Sequence, residues 1–424
     1  MKKFVFLIAA ITMMSCSQQE MKKSVPPTTA DLKTKLGIRS YDDALAIARN
    51  AIGRLENKKS ISRGINSSRK VDLTENKAIV RNNDNNDTLI YVFNFENHKG
   101  FALVSAIEET DGLLAVTEQG HYDPDSSSET SGFDIFINQA KKYVLNEGRV
   151  LRSPEIIIDS VVTQHFYINP LLTVEWGQEN PEGEFCENNI SGCGPTAFAQ
   201  IMSYYESPSS FVPTYLGNGA GTISLQWTAM KNHNKHNGGA SSCPSGSSVH
   251  QSIAHLCRQI GYLSDSDYET GYTGTNIYDL LTAIDSFSYV RNNWIDFTNQ
   301  DLRNFLLSSH PILMVGLTGL TPEDTGHFWI VDGVDREATT TYLRRYDQSY
   351  QTWYQYMLET TNDYFHINWG WDGENNGYFL NHVFDTTSPE YYDHPAGSNN
   401  NNYNFNTAIK FLIAYPKDPN EEQK

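Results

Sequence analysis

The chain has 424 residues, 39% of them hydrophobic and 12% aromatic, with 24 tyrosines; that composition builds a sizeable core and excludes a disordered polymer. Its formal net charge of −18 repels phosphate backbones, which argues against a nucleic-acid partner. The length allows two or three domains.

The N-terminus, "MKKFVFLIAAITMMSCSQQE", has a positive start at Lys2 and Lys3 and an apolar run from Phe4 to Met14 that is too short to span a bilayer. Ser15 and Cys16 follow, and the segment resembles a bacterial lipoprotein signal of residues 1–16 in which Cys16 becomes the lipidated first residue. Met13 departs from the leucine usual at that position, so plain secretory cleavage or a retained anchor stays open. The expectation is an exported protein, in the cell envelope or secreted, touching a membrane only through a lipid on Cys16.

Residues 17 to about 35 read as a polar tether. "YDDALAIARNAIGRL" then places Ala44, Leu45, Ile47, Ala48, Ala51 and Ile52 near helical spacing. "TLIYVFNF", "ENHKG" and "FALVSAIEE" predict strand, turn and strand, and "GFDIFINQAKKYVLNEG" predicts a helix stopped by Gly148. These elements make a small α+β unit over 17–150. "NEGRVLRSPE" reads as its junction with a second domain over 151–424.

Beyond the junction the patterning predicts helices near 195–206, 248–262 and 275–286, then strands from about 311 to 415, an α+β arrangement. "GSNNNNYNF" near 397–405 reads as a polar loop. "DPDSSSE" at 123–129 lacks the glycine and distal glutamate of a calcium loop, and "GNGAG" at 217–221 opens no helix after a strand; both read as loops. Cys186, Cys193, Cys243 and Cys257 match no zinc spacing, and a working thiol among them would leave one of the other three unpaired, so neither a metal nor a disulfide framework is expected.

Cys193 stands apart. It lies in "SGCGPTAFAQIMSYY", between two glycines that permit a sharp turn, with Pro195 at the start of a helix whose Ala197, Phe198, Ile201, Met202 and Tyr205 share one side. A thiol at a helix N-terminus is shifted toward thiolate, the attacking form; a small residue in a tight strand-to-helix turn would look the same. His327 in "TGHFWIVDGVD" opens a strand of β-branched and aromatic residues and is the candidate base, while His233 and His236 fall in a polar loop. Asn368 ends an apolar strand in "FHINWGWDG", where its amide could orient an imidazole and Trp369 could shield that bond; a packed strand-end turn is the plainer reading. Gln178 in "VEWGQENP" sits fifteen residues before Cys193, where its amide could serve an oxyanion or simply face solvent.

The order of these motifs, Gln, Gly-Cys with "TAFAQIMSYY", "GHFWIVDGVD" and "FHINWGWDGENNGYF", resembles the streptopain family of papain-like cysteine peptidases over roughly 165–415. "YVFNFENHKGFALVSA" resembles that family's pro-segment. Gly194-Pro195, in place of the family's common Val-Ala, also resembles the bacteriocin-processing branch of papain-like proteins. The resemblance implies a papain-like catalytic domain, helices packed on an antiparallel sheet, behind an inhibitory pro-domain. It implies Cys193 as nucleophile, His327 as base, Asn368 as orienter, Gln178 as oxyanion donor and Trp369 beside the orienter. The expected activity is that of a zymogen-type cysteine endopeptidase acting on polypeptides without a cofactor, with its own pro-segment as intramolecular inhibitor. An amidase or acyl transferase of the same thioester chemistry, or a binding protein on the same scaffold, are the alternatives.

Overall fold

Apolar positions three and four apart start the described chain as a helix, α1 (Tyr41–Ser62), which buries Ala44, Leu45, Ala48, Ala51 and Ile52. This is a computed structural model, and it describes residues 37–62, 79–81, 88–108, 110–123, 132–147, 156–233, 245–317, 326–347, 352–381 and 409–417. The signal-like segment with Cys16, the acidic loop beyond Asp123, Cys243 and the 397–405 run lie outside the described residues.

After α1 come β1 (Ile79–Arg81), β2 (Thr88–Asn94), β3 (Phe101–Ser105), β4 (Leu113–Thr117) and α2 (Gly132–Glu147). The predicted strand, turn, strand and helix of the upstream unit are all present. β3 and β4 are buried along their whole length, as strands covered on both faces must be.

The junction reading needs one refinement. Asn146 and Glu147 still belong to α2, residues 148–155 lie outside the described set, and from Ile156 the chain is a thirteen-residue strand, β5 (Ile156–Ile168). Its β-branched run "IIIDSVVT" pairs with the long strand β13 (Gly326–Asp347) from Ile156↔Arg345 to Ile168↔Val334.

Three helices carry most of the next segment: α3 (Cys193–Tyr205), α5 (Ser248–Leu263) and α6 (Ile277–Ser286). Between and after them lie β6 (Ser210–Phe211), β7 (Ile223–Ser224), α4 (Trp227–Lys231), β8 (Asp267–Glu269), β9 (Tyr272–Gly274), β10 (Tyr289–Arg291) and β11 (Ile295–Asp296). α7 (Asn299–Leu307) is capped by Thr298, whose hydroxyl accepts from the Asp301 N–H at 3.1 Å. The remaining strands are β12 (Ile312–Leu317), β14 (Thr352–Asn368), β15 (Gly377–Leu380) and β16 (Ile409–Pro416).

The large sheet runs β1-β2-β3-β4-β15-β14-β13-β12-β16-β10, with antiparallel neighbours throughout. Upstream and downstream units therefore share one sheet, joined where β4 pairs with β15 through Thr117↔Gly377, Val116↔Tyr378 and Ala115↔Phe379. On the downstream half, Leu313, Val315, Phe328, Ile330 and Leu412 face a core shared with α3, α5 and α6. Strand alternation turns His327 and Trp329 to the other face.

The sequence suggests a half-buried α3 with one apolar side. Instead every residue from Gly194 to Ser203 is buried, because α3 is wedged between the sheet and α5. His233, read as a loop histidine, is buried just past the end of α4.

Candidate active site

Gly192 precedes α3 with φ +90°, a conformation that costs a side-chain-bearing residue strain, and this turn delivers Cys193 as the first helical residue. Pro195 accordingly falls at the third helical position, where its missing N–H still costs no intrahelical bond. Burial pushes the Cys193 thiol above its ordinary pKa, against the pull of backbone groups of Phe328 on β13 and of Gly194 and Cys193 at the helix start, which favour thiolate.

β13 is in register with β12 through Val315↔Phe328, whereas its ladder with β14 begins only at Ile330↔Asn368. Residues 326–329 lie past the end of that ladder, so the mouth of β13 opens beside the sulfur. His327 sits there, 3% exposed, with its ring nearly parallel to that of Trp371 at 5.6 Å and to that of Trp329 at 6.4 Å. Its Nε2 lies 2.9 Å from the backbone oxygen of Trp369. A carbonyl only accepts, so Nε2 carries the proton and Nδ1 keeps its lone pair. Burial lowers the His327 pKa to about 4, against the opposing pull of that carbonyl. Among the described residues no hydrogen bond joins Cys193 to His327, and burial acts against the charged form of each.

Asn368 is not bonded to the imidazole. Its Nδ2 donates to Val174 O and to Gln200 Oε1, both at 2.9 Å, and its Oδ1 accepts from the Gly370 N–H at 3.1 Å. The acceptor on His327 is thus the main chain of the next residue. Trp369 itself is fully buried, its N–H on Asn376 Oδ1 and its ring edge-on to Phe379.

Gln178 is buried, and its Nε2 has no hydrogen-bond partner among the described residues. Its carbonyl accepts from the N–H of Ser191, two residues before Cys193, and from the Ser191 hydroxyl. Thr196 on α3 bonds both Ser191 and the Gly177 carbonyl. A Cβ at Gly177 would come within 2.5 Å of an Asp372 carboxylate oxygen, so any larger residue there has to displace that side chain. An unpaired buried amide donor costs free energy; on a segment tied to the chain just before a helix-start cysteine, it is the kind of group an incoming carbonyl oxygen needs.

The segment between Gln178 and Cys193, "ENPEGEFCENNIS", is anchored outward. Glu184 contacts His250 on α5, Glu187 pairs with Arg258 at 2.6 Å, and Asn188 Nδ2 reaches Glu269 O, Tyr272 O and Thr273 Oγ1 at 2.7 to 2.9 Å. Cys186 and Cys257 are buried and free. The residues missed from sequence are those acting through the main chain or in the second layer: the Trp369 carbonyl, Trp371 against the imidazole, and Gln200. A glutamine inside an apolar helix face was the available signal for the last.

The upstream unit reaches this site. Phe133 on α2 stands edge-on to Trp369 at 6.5 Å, and Phe136 stands edge-on to Phe379 at 4.8 Å.

A helix-borne cysteine at the mouth of a histidine-bearing strand, over one α+β sheet, defines the papain-like class of cysteine peptidases. Residues 173–379 match the Peptidase C10 family, and residues 34–144 match the Spi protease inhibitor. Over those residues the chain is similar to the Peptidase C10 family and, upstream, to a protease inhibitor, which together support a cysteine peptidase with a pro-segment. Streptopain sequences from several Streptococcus pyogenes strains are 23% identical over 326 residues, covering 68% of this chain and 73% of theirs. A prointerpain A fragment of Prevotella intermedia covers 83% of this chain and 100% of its own at 17% identity and a TM-score of 0.49. Active interpain A from the same organism covers 50% and 85% at 20% identity and a TM-score of 0.33.

Proposed function

We propose that the protein is an exported cysteine endopeptidase made as a zymogen, with Cys193 as nucleophile and His327 as its acid–base partner. The Cys193 sulfur attacks a peptide carbonyl carbon and forms a carbon–sulfur bond. The resulting oxyanion is held by the Gln178 Nε2–H and the Cys193 N–H. His327, with Nε2–H committed to the Trp369 carbonyl, works through Nδ1, which takes the Cys193 thiol proton as the sulfur attacks and delivers it to the leaving amine as the C–N bond breaks. In the second half Nδ1 takes a proton from water, whose oxygen attacks the thioester and frees the thiol. Asn368 orients the histidine indirectly, by closing the turn that carries the Trp369 carbonyl.

The observation that carries this reading is the buried, unpaired Gln178 donor tied through Ser191 to the start of α3. Residues 17 to about 150 are the inhibitory pro-segment. The Spi protease inhibitor match over 34–144 and the Phe133–Trp369 contact support that role. Maturation cleavage, expected from sequence within about 145–165, is assigned to residues 148–155, since β5 is laddered to β13 from Ile156.

The test compares mature wild type with Cys193→Ala in casein digestion and in labelling by an epoxide-type thiol-protease inhibitor. Digestion and labelling by wild type, both lost in Cys193→Ala, are expected. More than a few per cent of wild-type turnover in Cys193→Ala would overturn the assignment. Labelling without digestion would point to an amidase or acyl transferase instead.

A further inference from the structure

Gln200 lies seven residues after Cys193 on α3, two helical turns below it and on nearly the same face. It is fully buried, and its side-chain amide is the meeting point of three chain segments. Its Oε1 accepts from the Trp176 N–H at 3.2 Å and from Asn368 Nδ2 at 2.9 Å, while its Nε2 lies 3.4 Å from Asn368 Oδ1. The orientation of both amides is fixed by backbone groups that have only one role. Trp176 N–H needs an oxygen, Val174 O needs the Asn368 nitrogen, and Gly370 N–H needs the Asn368 oxygen.

We infer that Gln200 is a positioning residue that couples the two halves of the proposed machinery, a reading that rests on the Cys193–His327 assignment above. In one direction it holds Trp176, two residues before Gln178, and so sets where the Gln178 donor stands relative to Cys193 on the same helix. In the other it holds Asn368, whose Oδ1 closes the Trp369–Gly370 turn and so aims the Trp369 carbonyl at His327 Nε2. The reciprocal Gln200–Asn368 amide pair thus places oxyanion donor, nucleophile and imidazole acceptor on one rigid frame. A core glutamine serving stability alone would need partners, but not ones leading to both the donor and the acceptor. Displacements on the ångström scale at such a frame change turnover strongly.

Gln200→Met keeps the length of the side chain and removes every polar contact; Gln200→Glu keeps the acceptor for Trp176 and Asn368 and loses only the donor to Asn368 Oδ1. Both are prepared as mature enzyme alongside wild type and Cys193→Ala, with active sites titrated so that only folded, competent molecules are counted. For Gln200→Met, kcat is expected to fall about 10- to 100-fold with KM within about twofold. The pH dependence of Cys193 alkylation by iodoacetamide should move, because the imidazole is no longer held. Gln200→Glu should recover part of both. If Gln200→Met fails to fold, Gln200→Glu is read in the same assays, where a kcat reduction with a moved alkylation profile is expected. Folded variants with wild-type kcat and an unmoved profile, or with the loss confined to KM, would overturn the inference. The Cys193→Ala control separates this from the underlying reading: activity there sinks the catalytic assignment whatever Gln200 does.

Discussion

Maturation offers a prediction that the geometry fixes in advance. β5 begins at Ile156, opposite Arg345, which lies 18 residues along β13 from His327. At a strand rise of about 3.3 Å per residue, and allowing for twist, that separation is on the order of 50 Å. The proposed cleavage window, residues 148–155, joins the end of α2 to Ile156. Even fully extended, the bond farthest from Ile156 reaches only about 30 Å from it. A folded precursor therefore cannot bring its own junction to its own Cys193, and the first cut is made by another molecule. The perturbation is dilution, with Cys193→Ala precursor as a separate substrate. Processing half-time of the wild-type precursor should lengthen as concentration falls, and added mature enzyme should cut the Cys193→Ala precursor within 148–155, read by N-terminal sequencing. A half-time independent of concentration over a hundredfold dilution would refute the reasoning, since it would mean that β5 peels from β13 and that the junction is cut in cis.

Five further outcomes follow from the structure. Gln178→Ala should lower kcat by about 10²- to 10³-fold with little change in KM, measured on a peptide amide, as loss of an oxyanion donor does. Asn368→Ala should impair turnover less than His327→Ala, because it loosens a turn whereas the histidine moves the proton; purified mature variants compared at one pH decide this. In the precursor, iodoacetamide should label Cys193 slowly at neutral pH and faster only above the ordinary thiol range, while the mature enzyme labels readily. The folded His327 pKa of about 4 lies below the unfolded value near 6.5, so the unfolded chain binds the extra proton first. Its share of stability is complete above pH 6.5 and lost as pH falls toward 4, by at most about 3 kcal/mol, and His327→Gln should flatten the denaturation midpoint over that range. His366 runs the other way: burial alone would lower its pKa, but Asp332 2.6 Å away, with Glu118 and Glu175 beyond, holds it raised. Its contribution is complete below 6.5 and lost as pH rises through the folded pKa.

Much of this was legible because local chemistry and tertiary demand agreed. The helical spacing of α1, the helices predicted near 248–262 and 275–286, and the strand, turn and strand of β2 and β3 all survive in the fold. Where they diverged, the reading went astray for identifiable reasons. "IIIDSVVTQHFYI" carries a clear strand signal, but the Gly, Arg and Pro before it drew attention to a junction, and only the length of β13 shows what the strand pairs with. The Thr298–Asp301 cap announced α7 to anyone weighing it. No pattern in the chain distinguishes Asn368 bonded to an imidazole from Asn368 bonded to Gln200, because the choice is made by residues 168 positions apart. Nor can sequence show a main-chain acceptor: every residue has a carbonyl, and only the fold aims that of Trp369 at His327.

Latency then has a physical account in which no catalytic side chain need be far from its place. Burial is the leading cause of both shifts at the site, up for Cys193 and down for His327, and both oppose a thiolate–imidazolium pair. The upstream unit reaches the neighbouring Trp369. β4 extends the catalytic sheet past β15, and Phe133 lies against the Trp369 ring whose own carbonyl holds the imidazole. On the proposed zymogen reading, removal of the pro-segment exposes this side of Trp369 to water, and the mature enzyme is expected to show a His327 that titrates higher and a Cys193 that titrates lower than in the precursor. The backbone N–H groups of Gly194 and Phe328 are already in place to receive the thiolate, so activation requires uncovering rather than assembly.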